Sequence, residues 1–162
     1  MRDWGRVEVS VATTFKNEEG ATTGLGSGGQ WGSASLLVAE SFSIDAWQRV
    51  HLHDVCDGIV VRALPARRRL CACAKVWALP PGEHQARLLL IEPDGGTLAA
   101  GSPSAVQPDR DRSSCTVLTA FSGVHFRSAG RHEVALEVDG RTVATIPLEV
   151  AVRADADGIG AL

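Results

Sequence analysis

The sequence predicts an all-β protein: one immunoglobulin-like antiparallel β-sandwich of about seven to nine strands, with essentially no helix. Three observations carry this. Residues Gly130 to Val152 read as a long hairpin, with Val134, Leu136 and Val138 alternating with Glu133, Ala135 and Glu137 before an Asp139-Gly140 turn. Gly- and Pro-containing turn signals recur along the chain, at about the 8–12-residue spacing of short sandwich strands. No window sustains apolar residues at i, i+3, i+4 and i+7 between helix caps.

The closing hairpin is the most detailed expectation. Its return strand places Ala144, Ile146, Leu148 and Val150 against Thr145, Pro147 and Glu149. A two-residue loop would set Val138 opposite Arg141 and mix buried with exposed faces thereafter. A type I turn with a glycine bulge, Val138-Asp139-Gly140, avoids this. It predicts Glu137 opposite Arg141, Leu136 opposite Thr142 and Val134 opposite Ala144. Pro147 has no N–H, so the last strand is expected to be an edge or bulged there.

The remaining elements follow in order. Residues 1–33 form an N-terminal extension, with a strand at 6–15 and then a flexible Gly/Ser/Thr-rich segment. The sandwich domain occupies residues 34–152. Within it, 35–44 is a strand, Asp45–Gln48 a turn, and 49–61 the second arm of a hairpin. Leu64 to Arg69 is a connection and 70–79 a strand of small and apolar residues. Residues 84–92 and 96–101 flank a Pro93-Asp94-Gly95 turn, in which Pro sets φ and Gly accepts a positive one. Residues 102–113 are loop and 114–126 a further strand. The tail, 153–162, is expected to be disordered.

A chain of 162 residues can bury a core of its own, removing roughly two-thirds of its unfolded surface from water. A net charge of −3 argues against a dedicated nucleic-acid or anionic-membrane binder. The N-terminus lacks the apolar stretch of a secretory signal, and no segment approaches a membrane span. The four cysteines are therefore expected to be reduced thiols in a cytoplasmic protein.

Three stretches together resemble a family of small bacterial β-sandwich proteins of unknown function. They are ASLLVAESFSIDAWQRVHLHDVCDGIV with its Val55-to-Ile59 box, PPGEHQARLLLIEPDGGTL, and FRSAGRHEVALEVDGRTVATIPLEV. The likeness covers roughly residues 34–151 and rests on turn and strand motifs. The closing hairpin is also similar in style to the last strand pair of immunoglobulin-like sandwiches, with His132 in a place often taken by an aromatic residue. The resemblance implies a fold and supplies no catalytic residues.

The candidate chemistry is sparse. His51 and His53 would project two imidazoles from one strand face, a weak metal pair that His84, His125 or His132 would have to complete. Cys71 and Cys73 also share a face, but without the spacing of a zinc ribbon they read as small buried thiols. Arg67-Arg68-Arg69 reads as a compact basic turn. It lacks the interleaved aromatics of a nucleic-acid platform, but suits an acidic partner or a phosphate. The Gly-rich stretch Gly24–Gly32 lacks the Gly-Lys-Ser/Thr ending of a phosphate loop. Trp47, at a hairpin tip, is a candidate interface anchor.

The expected function is thus a non-catalytic protein-interaction or assembly module without cofactor. Trp47 and Arg67, Arg68 and Arg69 are its partner-binding residues. Open edge strands make a homo-oligomer feasible; neither nucleic acid nor membrane is expected as a partner. The alternative is a small metal- or thiol-dependent enzyme using His51 and His53, or Cys71.

Overall fold

Alternating apolar residues divide the chain into strands whose inner faces meet in one core. The computed structural model describes residues 10–15, 33–107 and 114–153. Among these lie eleven strands: β1 (Ser10–Phe15), β2 (Ser33–Ile44), β3 (Val50–Val55), β4 (Gly58–Val61), β5 (Ala66–Trp77), β6 (His84–Ile91), β7 (Thr97–Ala100), β8 (Ser104–Val106), β9 (Ser114–Phe126), β10 (Gly130–Val138) and β11 (Arg141–Val152). One sheet has the order β1-β9-β5-β2-β3. The other has the order β4-β11-β10-β6-β7, with β8 also paired to β6. The described residues contain no helix, as the sequence predicts.

The inner faces follow the period of two. Leu36 and Val38 of β2, Leu70, Ala72, Ala74 and Val76 of β5, and Val117 and Phe121 of β9 line one wall. Leu88 and Leu90, Val134, Leu136 and Val138, and Leu148 and Val150 line the other. Ile146 packs against this core from the rim.

Four departures from the sequence reading have physical causes. The strand count exceeds seven to nine, partly because 49–61 is two strands in different sheets. β3 pairs antiparallel with β2, while β4 crosses over to pair with β11 in parallel. Residues 102–113 are not wholly loop, since Ser104–Val106 pairs with the start of β6. Arg67, Arg68 and Arg69 lie within β5, not in a turn. The flexible segment expected at 16–33 lies outside the described residues except for Ser33, and the tail except for Arg153.

The fourth departure is the register of the closing hairpin. Asp139 (φ 51°) and Gly140 (φ 75°) form a two-residue loop, with Val138 opposite Arg141 and Glu137 opposite Thr142. Two successive positive φ values are the mark of a type I′ turn, whose twist suits a hairpin. The predicted Glu137–Arg141, Leu136–Thr142 and Val134–Ala144 pairs do not form. The register instead shifts between Leu136 and Glu137, passing over Val143 and placing Leu136 opposite Ala144 and Val134 opposite Ile146. A bulge inside the strand thus does what the sequence reading assigned to the turn. Three-residue loops with a positive φ at their last residue do occur elsewhere, at Ala46–Gln48 and Pro93–Gly95.

Pro147 lies opposite Glu133, and β4 flanks β11 only from Glu149 onward. The N–H of Glu149 points outward to the Asp57 carbonyl at 3.0 Å. Backbone direction repeats every two residues, so the missing N–H of Pro147 falls on the same open side.

Candidate functional site

The tip joining β2 to β3 is built by one carboxylate. Asp45 and Arg49 close the loop through Asp45 N–H to Arg49 O (3.1 Å), and Gln48 N–H returns to Asp45 O (3.0 Å). Gln48 takes a φ of 63°, the left-handed position such a loop requires. Asp45 Oδ1 accepts the backbone N–H groups of Trp47 (2.9 Å) and Arg49 (3.0 Å). Its Oδ2 accepts Arg49 Nε at 2.6 Å and lies 3.1 Å from His51 Nε2. Burial works to raise the Asp45 pKa, but hydrogen bonds from Arg49, His51 and Trp47 outweigh it and hold the carboxyl well below its usual range.

Those bonds fix the backbone under Trp47, whose side chain is 75 % exposed. The Arg49 guanidinium sits 5.0 Å from the centre of its ring, within cation–π range. The tip therefore presents an aromatic plane and a cation from a preorganised loop. Sequence reasoning found Trp47 but not Asp45 or Arg49. The Asp-x-Trp-x-Arg spacing is the signal, because an Asp at the first turn position can accept N–H groups two and four residues on.

The three neighbouring arginines separate. Ala66 and Arg68 pair with Phe126 and Val124, both core residues, so Arg68 faces the inter-sheet side. Arg67 pairs with His125 on the outer face, its guanidinium so close to Gly123 that an added Cβ would come within 2.6 Å. Arg69 falls where the register shifts. Arg68 Nη2 reaches across the sandwich to donate to the Val60 carbonyl of β4 at 3.3 Å. There it joins Arg62 and Arg153 in lining a cleft of about 350 Å³, with Val60 and Val61 also among its described lining residues. No local pattern announces this grouping, since residues 62 and 153 meet through the β4–β11 pairing and Arg68 joins them from β5 of the other sheet.

The other candidates take local partners. His51 contacts Asp45, and His53 Nε2 lies 2.9 Å from Ser43 Oγ. His84 is bound to Asp139, and His132 donates from Nδ1 to Gly130 O and meets Phe126 edge-on at 5.2 Å. Among the described residues, no group of three or more His, Cys, Asp or Glu side chains could hold a metal ion. Cys71 and Cys73 face away from the inner core, as their neighbours Ala72 and Ala74 belong to it. Burial pushes both thiols up to about 11, and the neighbouring Cys73 adds to the effect on Cys71. A nucleophilic cysteine needs the opposite shift.

A family of unknown function, DUF6941, matches residues 35–151. No curated protein matches the chain. Among solved structures, a β-glucosidase from Listeria innocua in complex with glucose is similar at a TM-score of 0.40 and 11 % identity, over 76 % of this chain and 17 % of that one. The Pseudomonas fluorescens alkylpurine DNA glycosylase AlkC, bound to DNA containing an abasic site analog, is similar at a TM-score of 0.34 and 12 % identity, over 72 % and 30 %. The chain thus spans less than a third of either protein. No helix of the described residues is long and apolar enough to cross a membrane.

Proposed function

Because the chain belongs to DUF6941, a family of unknown function, it inherits no activity, and we propose that it is a non-catalytic protein-interaction module of the bacterial cytoplasm. The observation that carries this reading is the Trp47 tip. Trp and Arg are the residues that most often dominate binding energy, and here both are exposed on a loop whose ordering cost is met within the free protein. The raised thiols and the locally bonded histidines weigh against the thiol- and metal-dependent alternatives. Four free cysteines suit a reducing compartment. The outer edge of β3 ends its sheet beside this tip and offers backbone groups to an extended partner segment or a second copy.

The test is affinity capture from the source cell with wild type and Trp47→Ala. A partner retained by wild type should be lost from the variant, at a cost of about 2 kcal/mol or more in binding and no change in melting temperature. Turnover of any substrate that depends on His51 or Cys71 would overturn the reading.

A further inference from the structure

The cleft between the two sheets makes a second, separate prediction. Its three arginines come from different elements. Arg68 stems from β5 in one sheet, Arg62 follows β4 in the other, and Arg153 follows β11. The scaffold beneath them is fixed by bonds that do not use their charges on an acid. Arg68 Nη2 donates to Val60 O, and Arg153 N–H donates to Val61 O at 2.9 Å. None of the three forms an ion pair with a described residue, whereas Arg49 and Arg87 each hold a carboxylate at 2.6–2.7 Å. Three like charges around one concavity repel each other, and an anion seated among them relieves that repulsion.

We propose that this cleft binds a compact phosphate dianion. The guanidinium fork matches a phosphate's paired oxygens and remains charged at any physiological pH. A volume of about 350 Å³ suits a phosphate or a small phosphomonoester, and lies at the low end of ligand pockets in general. A nucleic-acid strand fits the site less well. It would need a continuous basic track with stacking aromatics, and the described lining residues include two valines and no aromatic residue. The inference is independent of the Trp47 reading, since neither Trp47 nor its loop lines the cleft.

The experiment is titration of the full chain with inorganic phosphate, followed by calorimetry and by the amide resonances of Val60, Val61 and Arg153. Acetate and chloride at matched ionic strength serve as the comparison arms. Saturable binding is expected with phosphate, with shifts centred on those amides. Arg68→Gln should weaken it by about tenfold or more, as the loss of one charge-assisted bond implies. Arg153→Gln, beyond the last strand and outside the core, should do the same without loss of fold, and Arg68→Lys should restore only part of the affinity because it keeps charge without the fork. Arg131→Gln on β10 and Trp47→Ala should leave it unchanged. No saturable phosphate binding below about 10 mM would overturn the proposal. So would equal affinity for acetate, or equal weakening by Arg131→Gln and Arg153→Gln.

Discussion

His84 and Asp139 show how much a single pair decides at the scale of the residue. His84 is buried at the start of β6, and both ring nitrogens face acceptors: Nδ1 lies 2.6 Å from Asp139 Oδ2 and Nε2 lies 2.8 Å from the Pro80 carbonyl. Two acceptors call for two N–H donors, so the geometry selects the imidazolium. The Asp139 carboxylate and the Pro80 carbonyl accordingly raise the His84 pKa, against the effect of burial. Asp139 is held low by the Gln85 N–H and by His84, and its own N–H donates to Gln85 O at 2.8 Å. A histidine raised in the folded state stabilises fully below its unfolded pKa of about 6.5, and loses that contribution as pH rises through the folded value. Melting temperature should therefore fall as pH climbs from 6.5, and His84→Gln should be destabilised by about 1.5–3 kcal/mol at pH 6 with this alkaline slope removed. A wild-type slope that survives in His84→Gln would refute the assignment. Asp139 acts at the other end: its contribution is present above the ordinary carboxylate range and is lost as pH falls through its lowered pKa. Both residues stand in the turn motifs that carried the resemblance, Pro81-Gly82-Glu83-His84 and Val138-Asp139-Gly140. Their types were legible in the sequence, but their meeting was not, because they lie 55 positions apart.

At the scale of the element, the closing hairpin tests the turn directly. Gly140 sits at φ 75°, and nothing lies within 4 Å of where a Cβ would be placed. Gly140→Ala thus meets no clash, only the backbone cost of a side chain in the left-handed region. It should lose about 1–2 kcal/mol in denaturant melts, with the strand amide shifts of β10 and β11 retained. A neutral result would argue against the type I′ loop. The same hairpin shows what a sequence makes legible. Strand position and inward faces follow from alternation, so Leu136, Ile146 and Leu148 were readable as inward residues. Register does not follow, because the same alternation fits a bulge in the loop and a bulge inside the strand, and Val143 looks like any other strand valine. Glu137 illustrates the consequence: expected opposite Arg141, it instead pairs at 2.7 Å with Arg87 of β6, its neighbour on the other side. The arginine run failed for a related reason. Polar residues suggested a turn, yet Arg67 and Arg68 continue the ladder with β9, because the exposed end of a strand that runs past the core can carry polar side chains on both faces.

The whole molecule is held by pairings that no local pattern announces. The chain leaves one sheet after β3, adds β4 to the other beside β11, and returns for β5, so strands far apart in the sequence complete one sheet. That crossover brings Arg62 and Arg153 to Arg68, which makes the cleft a product of topology rather than of any motif. It also ties the two sheets into one cooperative unit. Leu136, fully buried on β10, belongs to the same continuous core as Ala72, Val117 and Phe121 of the opposite sheet. Truncating it opens a cavity that both sheets line, at a cost of about 2–5 kcal/mol, a large share of the roughly 5–15 kcal/mol that stabilises a domain. Leu136→Ala should accordingly lower the unfolding midpoint by the same amount whichever sheet is observed. The Trp77 indole N–H resonance reports β5 in one sheet, and the His84 imidazole resonance reports β6 in the other. Coincident transitions in both probes, shifted together by the substitution, are the expected outcome. Transitions that separate, with the His84 signal shifted and the Trp77 signal unmoved, would mean that the sheets unfold independently and that their shared core contributes less than its burial implies.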